Sequence, residues 1–127
     1  MNDEELMRMA IAEAKLAEEH GDIPIGAIVV LNDEVLSSRH NERELRNDPT
    51  AHAEMLAIRD AAKALGTSRL DGAILVSTLE PCPMCAGAAL LARVSKVIFG
   101  AEDPKAGALG SLYQLASDPR LNHEFVV

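Results

Sequence analysis

The chain contains few aromatic residues and few cysteines. Its 127 residues include no Trp, one Tyr, two Phe and two Cys. Phe99 and Phe125 fall in predicted strands, so almost no aromatic surface is left for stacking the bases of single-stranded nucleic acid. Two cysteines cannot build a disulfide framework. Because they are three positions apart, they indicate a metal site or a redox pair, and we expect a cytoplasmic protein.

Long apolar runs and an excess of positive charge are also missing. No apolar run approaches the length of a membrane span, and three of the first five residues are acidic, unlike a secretory signal. We therefore expect no association with membranes. Twelve Lys and Arg stand against twenty Asp and Glu, giving a net charge of −8, which is unusual for a nucleic-acid-binding protein. Seven of these acids lie within residues 1–22, so another face of the protein can still be locally basic.

The remaining composition is that of a single globular domain. Hydrophobic residues make up 48% and charged residues 25% of the chain, and its length suits one core. An amphipathic helix is predicted over 3–20, and two strands over 24–31 and 34–39 are joined by a turn at Asn32-Asp33. A second helix follows the 47–50 loop and ends at Gly66.

The second half of the chain alternates strand and helix. Strands are predicted over 73–79 and 96–100, with a helix from Pro81 to about Arg93 between them. A glycine-rich loop with a short helix follows over 103–118, and a last strand begins at 125. This order predicts an α/β fold, a three-layer α/β/α sandwich with a mixed sheet of about five strands, forming a single domain over 1–127.

Two short motifs carry the chemistry of the chain. They are His52-Ala53-Glu54 and Pro81-Cys82-Pro83-Met84-Cys85, with 29 residues between His52 and Cys82. The two cysteines lie on one face of the first turn of a predicted helix. Two thiolates and a neutral imidazole make a neutral site around Zn²⁺ and leave its fourth position to water, which is typical of catalytic zinc. This His-x-Glu and Pro-Cys-x-x-Cys pattern is a recognised signature of zinc nucleobase deaminases.

Glu54 is predicted to move protons in that site. Two residues from His52 on a helix, it cannot bind the same metal, but it can lie beside the metal-bound water, whose pKa the zinc lowers. It would take a proton from that water and return it to the ring nitrogen and then to the departing ammonia. Both motifs begin helices, whose positive N-terminal ends favour thiolates and a bound hydroxide.

Two simpler interpretations of the cysteines compete with this one. A Cys-x-x-Cys motif after a strand is also typical of thioredoxin-like redox pairs, but that chemistry has no role for the upstream His-x-Glu. A structural zinc site would need a fourth ligand. The other histidines, His20, His40 and His123, have no ligand spacing to either motif.

The chain resembles the bacterial tRNA adenosine deaminase family, within the cytidine deaminase-like superfamily, from about residue 6 to its end. The segments that carry the resemblance are residues 23–27, 40–41, 47–54, 77–88, 107–112 and 121–123. Several of them are more specific to that family than the zinc signature alone.

The resemblance implies conversion of the wobble adenosine in a tRNA anticodon loop to inosine by a homodimer with one Zn²⁺ per chain. The matching zinc ligands are His52, Cys82 and Cys85, with Glu54 as the proton shuttle. The positions expected to contact substrate are Asn41 at the base, Asp103 near the preceding nucleotide, and Ile23 and Ala51 in the matching segments around them. An amide suits Asn41 to its role because it can donate and accept hydrogen bonds at once.

The chain departs from the family pattern at two places. Family members continue past the last strand into a C-terminal helix that helps to grip the anticodon loop, whereas this sequence ends at Val127, as expected of a shortened form or a compact variant. Leu109 stands where the family often has cysteine or alanine.

Two other functions stay open at this point. The same chemistry would serve a deaminase of free nucleobases, nucleosides or single-stranded DNA. A non-catalytic zinc-holding subunit of a deaminase assembly is the alternative of a different class. Glu54 argues against the second, because a retired enzyme need not keep its proton shuttle.

Overall fold

A computed structural model describes all residues, 1–127. Its centre is a four-stranded sheet in the order β2-β1-β3-β4. The strands are β1 (Gly26–Leu31), β2 (Glu34–His40), β3 (Ile74–Leu79) and β4 (Lys96–Ala101). Strand β1 pairs antiparallel with β2 and β3, whereas β3 and β4 are parallel, which confirms the predicted mixed sheet.

The turn between β1 and β2 forms where the sequence predicted it. Asn32 and Asp33 both adopt positive φ angles, 49° and 63°. Two left-handed residues in succession are what a two-residue type I′ hairpin requires, and Asn and Asp tolerate that conformation. The pairing of β1 with β2 also carries one irregularity, between Val29 and Val30.

Helices cover both faces of the sheet. They are α1 (Asp3–Lys15), continued by a 3₁₀ turn (Leu16–His20), and α2 (Arg43–Arg46), α3 (Ala53–Leu65) and α4 (Pro83–Ala92). Successive side chains of a strand point to opposite faces. Ile28 and Val30 of β1 accordingly pack with α1, whereas Ala27 and Val29 join the larger core under α3 and α4. The predicted three-layer sandwich is confirmed.

Gly26 lets α1 lie directly against the start of β1. A Cβ atom at this position would lie 2.1 Å from the carbonyl oxygen of Ala10 and 2.6 Å from the backbone nitrogen of Ala14. Only a residue without a side chain allows the two backbones to approach so closely. This contact fixes the chain where it enters the sheet, directly after Ile23 and its neighbours.

The prediction of a last strand that begins at residue 125 is wrong in its extent. Residues 125–127 form a single parallel bridge, between Lys96 and Val126, so the sheet has four strands and not five. Two hydrogen bonds hold this segment, from Val97 N–H to the Val126 carbonyl at 2.8 Å and from Val126 N–H to the Ser95 carbonyl at 3.1 Å.

The short helix predicted within 103–118 is absent, and turns and loop take its place. The N–H groups of Leu109 and Ser111 bond to the carboxylate of Glu80 instead of to carbonyls one helical turn earlier. Helix α2, in contrast, forms without having been predicted. Asp22 accepts the N–H groups of Glu44 and Leu45 at its start, a cap supplied from 22 residues away that no local pattern reveals.

None of the helices combines the length and apolar character needed to cross a membrane.

Candidate active site

The two sequence motifs meet at the N-termini of α3 and α4. His52 is the N-cap residue of α3, and Cys82 is the N-cap residue of α4, with Pro83 directly after it. Neither side chain bonds to the backbone of its own helix as a cap. Both are therefore free to point at a ligand, and the positive ends of two helices face the same place.

The three predicted zinc ligands lie together. His52 Nδ1 is 3.7 Å from Cys82 Sγ and 3.5 Å from Cys85 Sγ, and all three ligand atoms lie within 4.8 Å of one another. Tetrahedral zinc with ordinary bond lengths separates nitrogen and sulfur ligands by about 3.6 Å. The arrangement fits a zinc ion with one imidazole and two thiolate ligands, and the prediction that these side chains meet is confirmed.

The two cysteine side chains shift each other's pKa in opposite directions. A hydrogen bond from the Cys85 thiol, with further bonds from His52 and the Cys85 backbone, lowers the pKa of Cys82 to about 4 although burial opposes this. The same bond to Cys82 raises the pKa of Cys85, helped by burial and by the charge of Glu54. The bond with Cys82 also raises the pKa of His52. The protons on Cys85 and His52 thus hold the Cys82 thiolate, and a divalent cation bound by all three side chains would displace them.

Glu54 lies beside this cluster, as the second residue of α3. Its side chain is buried, with 4% of the residue exposed. Burial raises the pKa of its carboxyl group above the ordinary value for Glu, although its own backbone N–H and His52 act in the opposite direction. A buried carboxyl group with a raised pKa, next to candidate metal ligands, has the properties of a general acid and base.

Three of the four positions predicted to contact substrate lie in one hydrogen-bonded unit next to His52. They are Asn41, Ile23 and Ala51. The Asn41 side chain accepts the N–H of Arg43 at 3.0 Å and donates to the carbonyl of Ile23 at 3.3 Å. Ala51 is fully buried, and its carbonyl accepts the N–H of Glu42 at 3.0 Å. The Ile23 residue is 69% exposed, so it offers apolar surface to a ligand.

Asp103 lies on the other side, beyond the end of β4. Since β3 and β4 are parallel, Asp103 and Cys82 follow strands that end at the same edge of the sheet, where ligands of α/β proteins commonly bind. One oxygen of its carboxylate accepts the N–H of Lys105 at 3.0 Å and of Ala106 at 3.3 Å. The loop is thereby closed on itself around Asp103.

Three buried acids of this region, Glu80, Asp22 and Glu42, have no role in the sequence interpretation, and Glu42 forms ion pairs with Arg39 and Arg46. Glu80 binds the backbone of the segment after Asp103, and Asp22 caps α2 next to Asn41. The signal for Glu80 is a carboxylate placed directly after the apolar strand β3, where burial demands hydrogen-bond partners. Asp22 gives no comparable signal, because it lies in an acidic and exposed stretch of sequence.

Residues 1–101 match the model of the cytidine and deoxycytidylate deaminase zinc-binding region. Together with the sandwich fold and the His52, Cys82 and Cys85 cluster, this match defines the protein as a zinc-dependent hydrolytic deaminase of the cytidine deaminase-like class.

The relatives narrow the class further. The chain is 57% identical to a tRNA-specific adenosine deaminase of Bacillus subtilis over 96% of its own length and 76% of the relative's. It is 48% identical to the enzyme of that name from Aquifex aeolicus, over 97% of this chain and 82% of the relative. The chain belongs to the family of tRNA-specific adenosine deaminases.

Solved structures agree with this membership. A structure from work on A-to-I editing by tRNA:A34 deaminases superimposes with a TM-score of 0.92 and 44% identity, covering 98% of this chain and 91% of the other. A guanine deaminase of Bacillus subtilis gives a TM-score of 0.77 and 42% identity, covering 80% of this chain and 66% of the other.

Proposed function

We propose that this protein converts adenosine to inosine at the wobble position of tRNA. The observation that carries the proposal is the buried carboxyl group of Glu54 beside a three-ligand zinc cluster, in a chain 57% identical to a tRNA-specific adenosine deaminase. The structural similarity to a tRNA:A34 deaminase supports the same substrate. Such an enzyme would work in the cytoplasm, and its two unpaired cysteines suit a reducing compartment.

The reaction replaces the amino group at C6 of adenine with oxygen from water and releases ammonia. A zinc ion held by His52, Cys82 and Cys85 would supply Lewis-acid chemistry and lower the pKa of a bound water. Glu54 takes the proton that water loses as it attacks C6 and delivers it to N1 of the ring. The carboxylate then takes the proton of the new C6 hydroxyl group and passes it to the departing amine as the bond from C6 to that amine breaks, so that inosine and ammonia are the products.

Asn41 is proposed to read the edge of the base. Its amide donates one N–H to the Ile23 carbonyl and uses one acceptor site for the Arg43 N–H. A second N–H and a second lone pair remain, so the amide can still donate to the base and accept from it. Asp103 is proposed to contact the preceding nucleotide and the exposed Ile23 to form a wall of the pocket, with the buried Ala51 supporting that wall from behind.

A homodimer is the proposed assembly. An apolar surface lies along α3 and α4, and its most prominent residue is Leu91, which is 72% exposed. Four of the other residues that line this surface are apolar, Ile58, Ala62, Ala88 and Ala92, and the remaining two are Ser68 and Arg59. Exposed apolar surfaces of this kind often mark protein interfaces, and a second copy of the chain would cover this one in a two-fold arrangement.

A comparison of substrates tests the proposed function. The wild-type protein is incubated with an anticodon stem-loop carrying wobble adenosine, a DNA loop of the same sequence, free adenosine, cytosine and guanine, and released ammonia is measured. We expect turnover of the RNA stem-loop and inosine at its wobble position. Rapid release of ammonia from guanine with none from RNA would instead support the second candidate, a guanine deaminase, which the 42% identity to such an enzyme favours.

A further inference from the structure

Glu80 is a buried carboxylate that the proposed chemistry does not use. It follows β3 directly, and its backbone N–H donates to the Ala101 carbonyl at 2.8 Å. Only 2% of the residue is exposed, and no Lys, Arg or His forms an ion pair with it. Since burying a charge is costly unless hydrogen bonds compensate it, the partners of this carboxylate identify its role.

All of those partners belong to the segment after β4, residues 102–111, which we call the 102–111 loop. One oxygen of Glu80 accepts the N–H of Asp103 at 3.1 Å and the hydroxyl of Ser111. The other accepts the N–H of Leu109 at 3.0 Å and of Ser111 at 3.1 Å. The carboxylate therefore gathers both ends of the loop.

The loop and the Glu80 side chain are in tight contact at Gly107. A Cβ atom at Gly107 would lie 2.3 Å from the carboxyl carbon of Glu80. The neighbouring Ala108 donates its N–H to the carbonyl of Pro81 at 2.9 Å. The loop is thus closed over Glu80 and Pro81, the two residues that directly precede the zinc ligand Cys82.

We infer that Glu80 is a positioning residue, which holds the 102–111 loop, and Asp103 with it, at a fixed place relative to the zinc-binding turn. The inference rests on the proposed function, in which Asp103 contacts the nucleotide that precedes the target. A loop placed in this way presents its contact before RNA arrives, so less ordering is required when RNA binds. Loss of the carboxylate should therefore weaken binding of the strand and leave the metal site intact.

The first test is Glu80→Gln, which keeps the shape of the side chain. Its NH₂ group cannot accept the two hydrogen bonds that one oxygen of Glu80 accepts, so half of the loop contacts are lost. We expect KM for the anticodon stem-loop to rise about tenfold or more, since several charge-assisted hydrogen bonds are lost, with kcat and zinc content changed much less. Glu80→Asp keeps the negative charge, but its shorter side chain reaches the N–H groups of the loop less well, so it should give an intermediate KM.

Two further variants test the same contact without altering Glu80. Gly107→Ala places a methyl group against the carboxylate and should raise KM as Glu80→Gln does. Ser111→Ala removes only the hydroxyl donor and should give a smaller rise. Ser117→Ala, at an exposed serine outside the loop, is the matched control and should leave KM unchanged. If Glu80→Gln fails to fold, the graded pair Gly107→Ala and Ser111→Ala still decides the question.

Hydrogen exchange separates this inference from the proposed function. Amide protection at Leu109 and Ser111 should fall in Glu80→Gln whether or not wild-type protein acts on tRNA. Unchanged protection would show that the carboxylate does not hold the loop, and would overturn the inference. A fall in zinc content or kcat at constant KM would overturn it as well, because Glu80 would then support the metal turn and not the strand. Wild-type protein inactive on RNA, with protection lost in the variant, would count against the proposed function alone.

Discussion

The Nε2 atoms of His20 and His40 lie 3.1 Å apart, and a carboxylate faces the other ring nitrogen of each. His20 Nδ1 is 2.7 Å from Asp22, and His40 Nδ1 is 2.5 Å from Glu13. The resulting chain of four side chains ties α1 and its 3₁₀ extension to the end of β2. Asp22 extends it to the first N–H groups of α2, so the backbone on both sides of Asn41 is held from the same network.

Breaking this chain should cost stability. In His20→Ala, His40 and Asp22 each lose a partner in a partly buried place, and we expect the free energy of unfolding to fall by about 1–2 kcal/mol. Urea denaturation monitored by circular dichroism measures this loss. Glu19→Ala, at the exposed neighbouring position, is the control and should stay within about 0.5 kcal/mol of wild type. Equal stability of the two variants would show that the histidine pair contributes nothing.

Replacing the cysteines should remove the metal. Cys82→Ser and Cys85→Ser each delete a thiolate ligand, so zinc content should fall well below one per chain. Unfolding should also occur at a lower temperature, because metal binding is coupled to folding. Metal analysis and thermal denaturation of purified protein are the measurements. Met84→Leu, between the two ligands, should retain its zinc; stoichiometric zinc in the double serine variant would refute the ligand assignment.

Glu54→Gln should separate metal binding from catalysis. The amide keeps the size of the side chain but can no longer carry protons, so kcat should fall by about a hundred- to ten-thousand-fold while zinc content stays at the wild-type level. Glu34→Gln, an exposed glutamate next to the β1–β2 turn, is the matched control. A Glu54→Gln enzyme with near-normal kcat would remove Glu54 from the mechanism.

Asn41→Ala should lower kcat/KM for the stem-loop. Its effect on the free energy of unfolding should be too small to account for that loss of activity. The substitution leaves the Arg43 N–H and the Ile23 carbonyl without their partner, which should cost about 1 kcal/mol of stability. The enzyme should also discriminate less well between bases, because the group that hydrogen-bonds the correct base is missing. Kinetics with adenosine- and guanosine-containing loops, alongside zinc content, measure both effects. If rate and base preference match those of Asn122→Ala, Asn41 serves only the loop.

The parts of the site that sequence predicts are those encoded locally. Pro83 after Cys82 marks a helix start, the Cys-x-x-Cys spacing places both sulfur atoms on one helical turn, and Asn32-Asp33 specifies the hairpin turn. Each signal involves residues a few positions apart. The meeting of His52 with the cysteines is not local, and it followed from the chemistry that the two motifs share.

The parts that sequence does not predict depend on hydrogen bonds between distant residues. Helix α2 needs Asp22, and the path of the 102–111 loop needs Glu80, whose partners lie 23 to 31 residues further along the chain. Local propensity suggested a short helix after Asp103, but the carboxylate takes the N–H groups that such a helix would use. A buried acid at the end of a strand is therefore a general warning that the following loop structure is set elsewhere in the chain.

The last prediction concerns self-association through the apolar surface around Leu91. A leucine buried at an interface contributes about 1.5–3 kcal/mol, and placing a charge there adds a desolvation cost. Leu91→Lys should therefore weaken self-association of the protein at least tenfold, whereas Leu16→Lys, at an exposed leucine next to α1, should not change it. Sedimentation velocity over a range of concentrations measures both, with wild-type protein expected to be a dimer. Wild-type protein that sediments as a monomer, or a Leu91→Lys variant as dimeric as wild type, would show that this surface does not join two copies of the chain.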